Sequence, residues 1–152
     1  MRISAKTDYA VRAAAELAAA VDSSPMRAEE IARRQAIPVH FLINILNELK
    51  IAGIVQSQRG VKGGYRLARP AERISLAEII RAVEGPLASV HESRPEEMHY
   101  PGAAEPLRDV WVAVRANLRA VLESVTLAHL VKRSLPSQVR RLLRDPEAWL
   151  PH

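Results

Sequence analysis

Apolar residues recur at helical spacing through Leu107, Val110, Trp111, Val114, Leu118, Val121, Leu122 and Val125, directly behind Pro106. Steps of three and four predict one amphipathic helix over 107–125, with a stripe ~28 Å long at 1.5 Å per residue. The same period marks shorter stretches upstream. Tyr9, Val11, Leu17 and Val21 punctuate an alanine-rich run over 5–21 that ends before Asp22-Ser23-Ser24-Pro25. Ile31 and Ala32 supply the apolar contacts of 27–34, and Glu29 and Glu30 stand early, where the helix dipole favours them. After a break at Gln35-Ala36-Ile37, Pro38 suits the first turn of a helix that runs to about Ile51 and stops at Gly53. Ser75, with Glu78 three residues on, opens SLAEIIRAVEG, which closes at Gly85. Thr126 caps a last short helix, LAHLVKR.

Between Gly53 and Ser75 the pattern changes to that of strands. Ile54, Val55, Tyr65 and Leu67 belong to two short strands, VQSQ and YRLA, joined by RGVKGG and ended by Pro70. Helix, helix, turn, helix, hairpin, helix is the element order of a winged helix-turn-helix, so the expected fold class is mainly α. The chain divides into a winged helix-turn-helix domain over 1–85, an irregular segment over 86–104 with three prolines, the long helix and its short follower over 105–133, and a tail over 134–152 with room for an amphipathic turn or two.

A chain of 152 residues fits one domain of ordinary size, able to bury roughly 68–70% of its unfolded surface without a staple. It contains no cysteine, which excludes disulfides, thiolate metal sites and thiol nucleophiles. MRISAKTDYA lacks the apolar core of a signal peptide, and no apolar run approaches the ~18 residues of a membrane span; a soluble, cytoplasmic protein is expected. The net charge of +5 lies wholly in residues 1–83, which carry 13 Lys or Arg against 8 Asp or Glu, whereas 84–152 carry 9 of each. That asymmetry points to a polyanionic partner for the first half.

At 100° per residue, Leu42, Ile45, Leu46 and Leu49 of PVHFLINILNELKIAG share a core face. The opposite face presents His40, Ile43, Asn44 and Asn47, with Lys50 at its edge. Asparagine can pair bidentately with adenine, and an apolar side chain such as Ile43 can touch a thymine methyl; an ordinary polar helix face is the plain alternative. In the hairpin, Gly60, Gly63 and Gly64 permit positive backbone angles and close approach to another surface. Arg59 and Lys62 sit at its tip, and Arg66 and Arg69 follow on the return. Cations on a compact loop suit phosphate contact or entry into a narrow minor groove; a solvated turn is the alternative here.

The segments ISAKTDYAVRAAAELA, IPVHFLINILNELKIAGIVQSQRGVKGGYRLARP and ISLAEIIRAVEGP resemble the Rrf-two family of bacterial winged-helix transcription regulators. Its members include an iron–sulfur cluster regulator, a nitric-oxide sensor and a cysteine-metabolism repressor. PLRDVWVAVRANLRAVLESVTLAHLV resembles the family's dimerisation helix and the short element after it, so the likeness covers about residues 1–133. It implies a homodimer on a palindromic double-stranded DNA operator, acting as a repressor. The helix over 38–51 would enter the major groove, and the wing would reach the minor groove beside it. By position, His40, Ile43 and Asn44 are the base-reading candidates and Arg59 the minor-groove candidate; Lys6, Tyr9 and Lys62 are candidate phosphate contacts. Ile43 stands where the family often has a polar residue, which marks a different operator preference.

Dimerisation also follows from the long stripe, because a small wing domain cannot cover all of it, and pairing two such helices sets two recognition helices ~34–36 Å apart. Cluster-binding members hold three cysteines between the fourth helix and the long one, where this chain has LASVHESRPEEMHYPGAAE and none. Clusters need thiolates, so no cofactor is expected, and His91, Glu92 and His99 fit no compact metal motif. Met98 and Tyr100, with Trp111, offer a small-molecule effector pocket; a protein effector is the other option. The rival to DNA binding is a winged helix used as a protein-interaction module, for which wing cations have no use. An enzyme is not expected: there is no Gly-x-Ser-x-Gly, no phosphate loop and no histidine pair at metalloprotease spacing.

Overall fold

The computed structural model describes residues 3–151; the outer ends of the first and last expected segments, 1–2 and 152, lie outside it. Ser4 starts the first helix, α1 (Ala5–Ala19), by accepting a hydrogen bond on its hydroxyl from the Thr7 amide at 3.0 Å. Such a cap contributes ~1 kcal/mol. Arg27 occupies the cap position of α2 (Ala28–Gln35), which ends at Ala36 in the left-handed region, φ 51°. Pro38 stands at the N-cap of α3 (Val39–Ile51), one place earlier than the first turn expected from sequence.

Strands β1 (Val55–Gln58) and β2 (Gly64–Leu67) pair antiparallel, with Val55 opposite Leu67 and Gln58 opposite Gly64. Helix α4 (Leu76–Glu84) carries the capping box read from Ser75 and Glu78. Burial opposes ionisation of the Glu78 carboxyl, but the Ser75 backbone N–H and Arg69 outweigh it and hold the group below the usual carboxylate range. The segment after Gly85 is irregular, with short 3-10 turns at Pro95–Glu97 and Gly102–Ala104. Helices α5 (Leu107–Ser124), α6 (Leu127–Val131) and α7 (Ser137–Leu142) complete the chain.

One core joins the first four helices to the hairpin and α6. Ala10, Ala13 and Ala14 let α1 approach its neighbours closely, and Ile31, Leu42, Ile45, Leu46, Leu49, Ile74, Ile79 and Leu127 fill the space around them. Each such side chain contributes ~1.5–3 kcal/mol when fully buried. Helix α6 is locked to this core by its backbone: the Leu127 amide donates to the Ile74 carbonyl at 3.0 Å, and the Leu76 amide to the Val125 carbonyl at 2.9 Å. His129 closes the α6 cap, its Nδ1 accepting from the Thr126 amide at 3.0 Å.

Val125 therefore corrects the expected stripe. It ends α5 in extended backbone and is 4% exposed within its own subunit, so its side chain belongs to the core and not to an interface. The rest of α5 is different, since none of its residues is buried. An Arg81–Glu123 ion pair ties it to α4, and Arg115–Glu96 ties it to the turn at Pro95–Glu97. Hydrogen bonds from Arg81 and then Arg119 hold the Glu123 carboxyl below its ordinary range. The tail folds on itself: Trp149 Nε1 donates to the Leu143 carbonyl at 2.9 Å while the ring stays 69% exposed.

Candidate nucleic-acid interface

Helix α3 turns Leu42, Ile45, Leu46 and Leu49 into the core, which leaves His40, Asn44, Asn47 and Lys50 exposed on the other side. Ile43 is half-buried, packed against the core beside Tyr65. It lines a crevice of about 280 Å³ with Arg27, Ala28, Glu29, Gln58, Gly60, Gly63, Gly64 and Tyr65. Of the base-reading candidates, Ile43 thus shares one depression with the wing. Ile43's presence on a polar face is explained by its packing against the core.

The wing is held by a third extended segment. Met26 exchanges two backbone hydrogen bonds with Tyr65, both 2.8 Å. A methyl group on Gly64 would lie 2.5 Å from the Met26 carbonyl oxygen, and one on Gly63 would lie 2.4 Å from that of Gln58. Those two glycines are required by close approach. Gly60, at φ 101°, is required by the turn.

Arg59 and Lys62 are exposed at the tip, and among the described residues neither they nor Lys50 joins an ion pair. Several cations elsewhere on the domain are ion-paired. Arg12 pairs with Asp8 at 2.9 Å, and Arg33 and Arg34 both reach Glu30, whose carboxyl they hold below its ordinary range. On the returning strand, Arg69 binds Glu78 at 2.9 Å, and Arg66 lies opposite Gln56, whose side-chain oxygen accepts from its guanidinium. Arg27, Lys50, Arg59, Lys62, Arg66 and Arg73 are the domain's described cations without an ion pair, and Arg59, Lys62 and Arg66 of these belong to the wing.

Tyr9 is half-buried, its ring edge-on to Phe41 at 5.8 Å with the Arg12 guanidinium over it at 5.4 Å, and so stands beside the start of α3. Lys6, expected as a phosphate contact, has partners within its own subunit. Its ammonium is held by the Glu48 carboxylate at 2.8 Å and the Val83 carbonyl at 2.8 Å, which makes it a clasp between α1, α3 and the end of α4. Arg27 was not marked by its sequence position. Its Nη2 donates to the Val61 carbonyl in the wing tip at 3.0 Å, across a separation of 34 residues that no local pattern records.

On another side of the domain, Trp111, Val114, Leu118 and Leu122 of α5 face Ile3, Thr7, Ile80 and the segment after Pro86 across a groove of about 850 Å³. Leu107, Val110 and Val121 do not line it, and neither do Met98 and Tyr100, the other residues of the expected effector pocket. No helix among the described residues is long and apolar enough to cross a membrane.

The family model described as Rrf2, iron-dependent transcriptional regulator, matches residues 3–133. A Mycobacterium tuberculosis (H37Rv) protein with the provisional name of an HTH-type transcriptional regulator, Rv1287, is 44% identical over 148 residues, covering 97% of this chain and 92% of its own. The structure of CymR, the global cysteine regulator of Bacillus subtilis, superposes with a TM-score of 0.74 at 31% identity, covering 88% of this chain and 98% of that one. The structure of IscR from T. potens gives 0.71 at 29% identity, covering all 100% of this chain and 93% of that one. The iron in the family's description finds no fitting ligands here. There is no cysteine, and among the described residues no three His, Asp or Glu side chains gather as a metal-binding group. The unpaired cations at the wing tip, the polar face of α3 and a match running past the end of α6 lead to one assignment: the chain belongs to the Rrf2 family of transcriptional regulators.

Proposed function

We propose that this chain acts as a homodimer, binds a palindromic operator and represses transcription from it. The observation that carries the reading is the crevice shared by α3 and the wing. Ile43 of α3 lines it together with Gln58, Gly60, Gly63, Gly64 and Tyr65 of the wing. Asn44 and Asn47, which can read bases, are exposed on α3, and the tip cations Arg59 and Lys62 are exposed with no ion pair among the described residues. In this reading α3 enters the major groove, where His40, Ile43 and Asn44 meet base edges, and Asn47 stands one turn further along the same face. Arg59 enters the flanking minor groove, while Lys62 and Tyr9 contact phosphate. The apolar side of α5, which its own subunit covers only in part, is the surface for a second copy, through Leu107, Val110, Trp111, Val114, Leu118, Val121 and Leu122. Residues 3–85 then serve as the DNA-binding unit, 105–133 as the pairing unit, and 86–104 as the connection between them. Repression follows if the dimer lies over promoter elements.

Selection of bound duplexes from random DNA tests this. Two inverted half-sites centred about 10–10.5 bp apart are expected. Failure to enrich any sequence, or enrichment of a single unpaired half-site, would overturn the dimeric operator.

A further inference from the structure

Arg27 is exposed and its side chain makes no cap bond to α2, so the helix itself gives it no task. Its guanidinium reaches instead to the Val61 carbonyl, at the summit of the wing. Val61 is 90% exposed, and the tip around it closes through a Gly63 amide to Gly60 carbonyl bond of 2.9 Å. Two four-residue strands make a hairpin that is marginal by itself. Adjacent residues supply what it lacks, with the Met26 backbone pairing at Tyr65 on the returning strand and the Arg27 side chain gripping the tip. A planar guanidinium, with several donors in a fixed fork, is suited to holding a carbonyl at such a span.

We infer that Arg27 is a positioning residue for the wing: by holding the Val61 carbonyl it fixes the tip relative to α3, so that the wing cations meet DNA without first being ordered. The inference rests on the reading that this wing contacts DNA. Its gain is preorganisation, because a loop already held in its bound place loses less freedom on binding.

The test uses the full chain and a duplex selected from random DNA, with affinities measured over a salt series for wild type, Arg27→Ala, Arg59→Ala and the double variant. Arg27→Ala is expected to weaken binding about three- to tenfold, the size of one ordinary hydrogen bond's net contribution. Its log–log salt slope should stay within about 0.3 of wild type, because no phosphate partner is lost. The double variant should lose little more than Arg59→Ala alone, since both changes disable the same tip. In hydroxyl-radical footprints, minor-groove protection beside each half-site should fade while major-groove contacts persist. Unchanged affinity for Arg27→Ala, a slope smaller by about 1.8 (two phosphates per dimer at ~0.9 each) or fully additive losses would overturn the inference. If Arg59→Ala is itself inert on DNA that wild type binds, the wing reading fails. If Arg59→Ala weakens binding and Arg27→Ala does not, only the positioning role fails.

Discussion

Helices α3 and α5 carry nearly the same apolar period and meet opposite fates. In α3, Leu42, Ile45, Leu46 and Leu49 are all at most 1% exposed, because α1, α2 and α4 close around them. In α5 the stripe is longer, yet no residue of the helix is buried, and Val110 remains 49% exposed. A period of three and four thus identifies an apolar face without telling which body covers it. For α3 the cover is the subunit. For α5 half of the face looks into a groove of its own domain and the remainder looks out, which is the physical ground for a second copy.

That contrast can be broken at either helix. Replacing Val110 and Val121 together by glutamate touches the outward side of α5 without entering its groove. The expected result is a folded monomer in sedimentation, with operator affinity lowered ~10²–10⁴-fold as the two half-sites cease to be bound by one linked pair. A dimer that persists would relocate the interface. Leu46→Ala acts on the other helix and should cost ~2–5 kcal/mol in chemical denaturation, with the oligomeric state unchanged once folded. Asn44→Ala should leave stability alone and cost ~1–3 kcal/mol of operator binding, with preference relaxed at one base position. Equal loss on every sequence would show that Asn44 positions the helix instead of reading with it.

Much of this was legible from residue order. Ser75 with Glu78, Gly53 after Ile51, and the glycines of the hairpin are local signals, and each marks the element it was expected to mark. What escaped depends on partners distant in the chain. Lys6 reads as one more cation of a basic half until Glu48 and the Val83 carbonyl are brought to it. Val125 continues a perfect period, but the backbone turns at that residue to send α6 back onto Ile74. Arg27 gains its role only when the wing folds over it. Ile43 looks out of place on a polar face until the fold sets it against the core, on the wall of a crevice it shares with Tyr65.

Lys6 also gives a smaller and sharper separation. Lys6→Met should lower stability by about 1 kcal/mol, as for an exposed ion pair with an added hydrogen bond, and leave the salt slope of DNA binding where it was. A reduced slope would return Lys6 to the phosphate contacts. The smallest expected effect is acid sensitivity. Glu30, Glu96 and Glu123 are each held below the usual carboxylate range in the fold, through hydrogen bonds from Arg33 and Arg34, from the Glu96 backbone and Arg115, and from Arg81 and Arg119 respectively. Depressed carboxyls contribute stability that is complete above their unfolded value of about 4.3 and is lost as pH falls through the folded values. Thermal midpoints should be flat from neutrality to about pH 5 and decline below about 4.3; a decline that begins near pH 6.5 would point to histidine instead.

The salt dependence of operator binding, wild type against Arg59→Ala, bears most directly on the whole account. Two wings per duplex, each losing one minor-groove cation and the roughly one counterion it displaces, predict a log–log slope smaller by about 1.8. A change near 0.9 would mean that one subunit engages DNA, and no change would mean that the wing does not touch it.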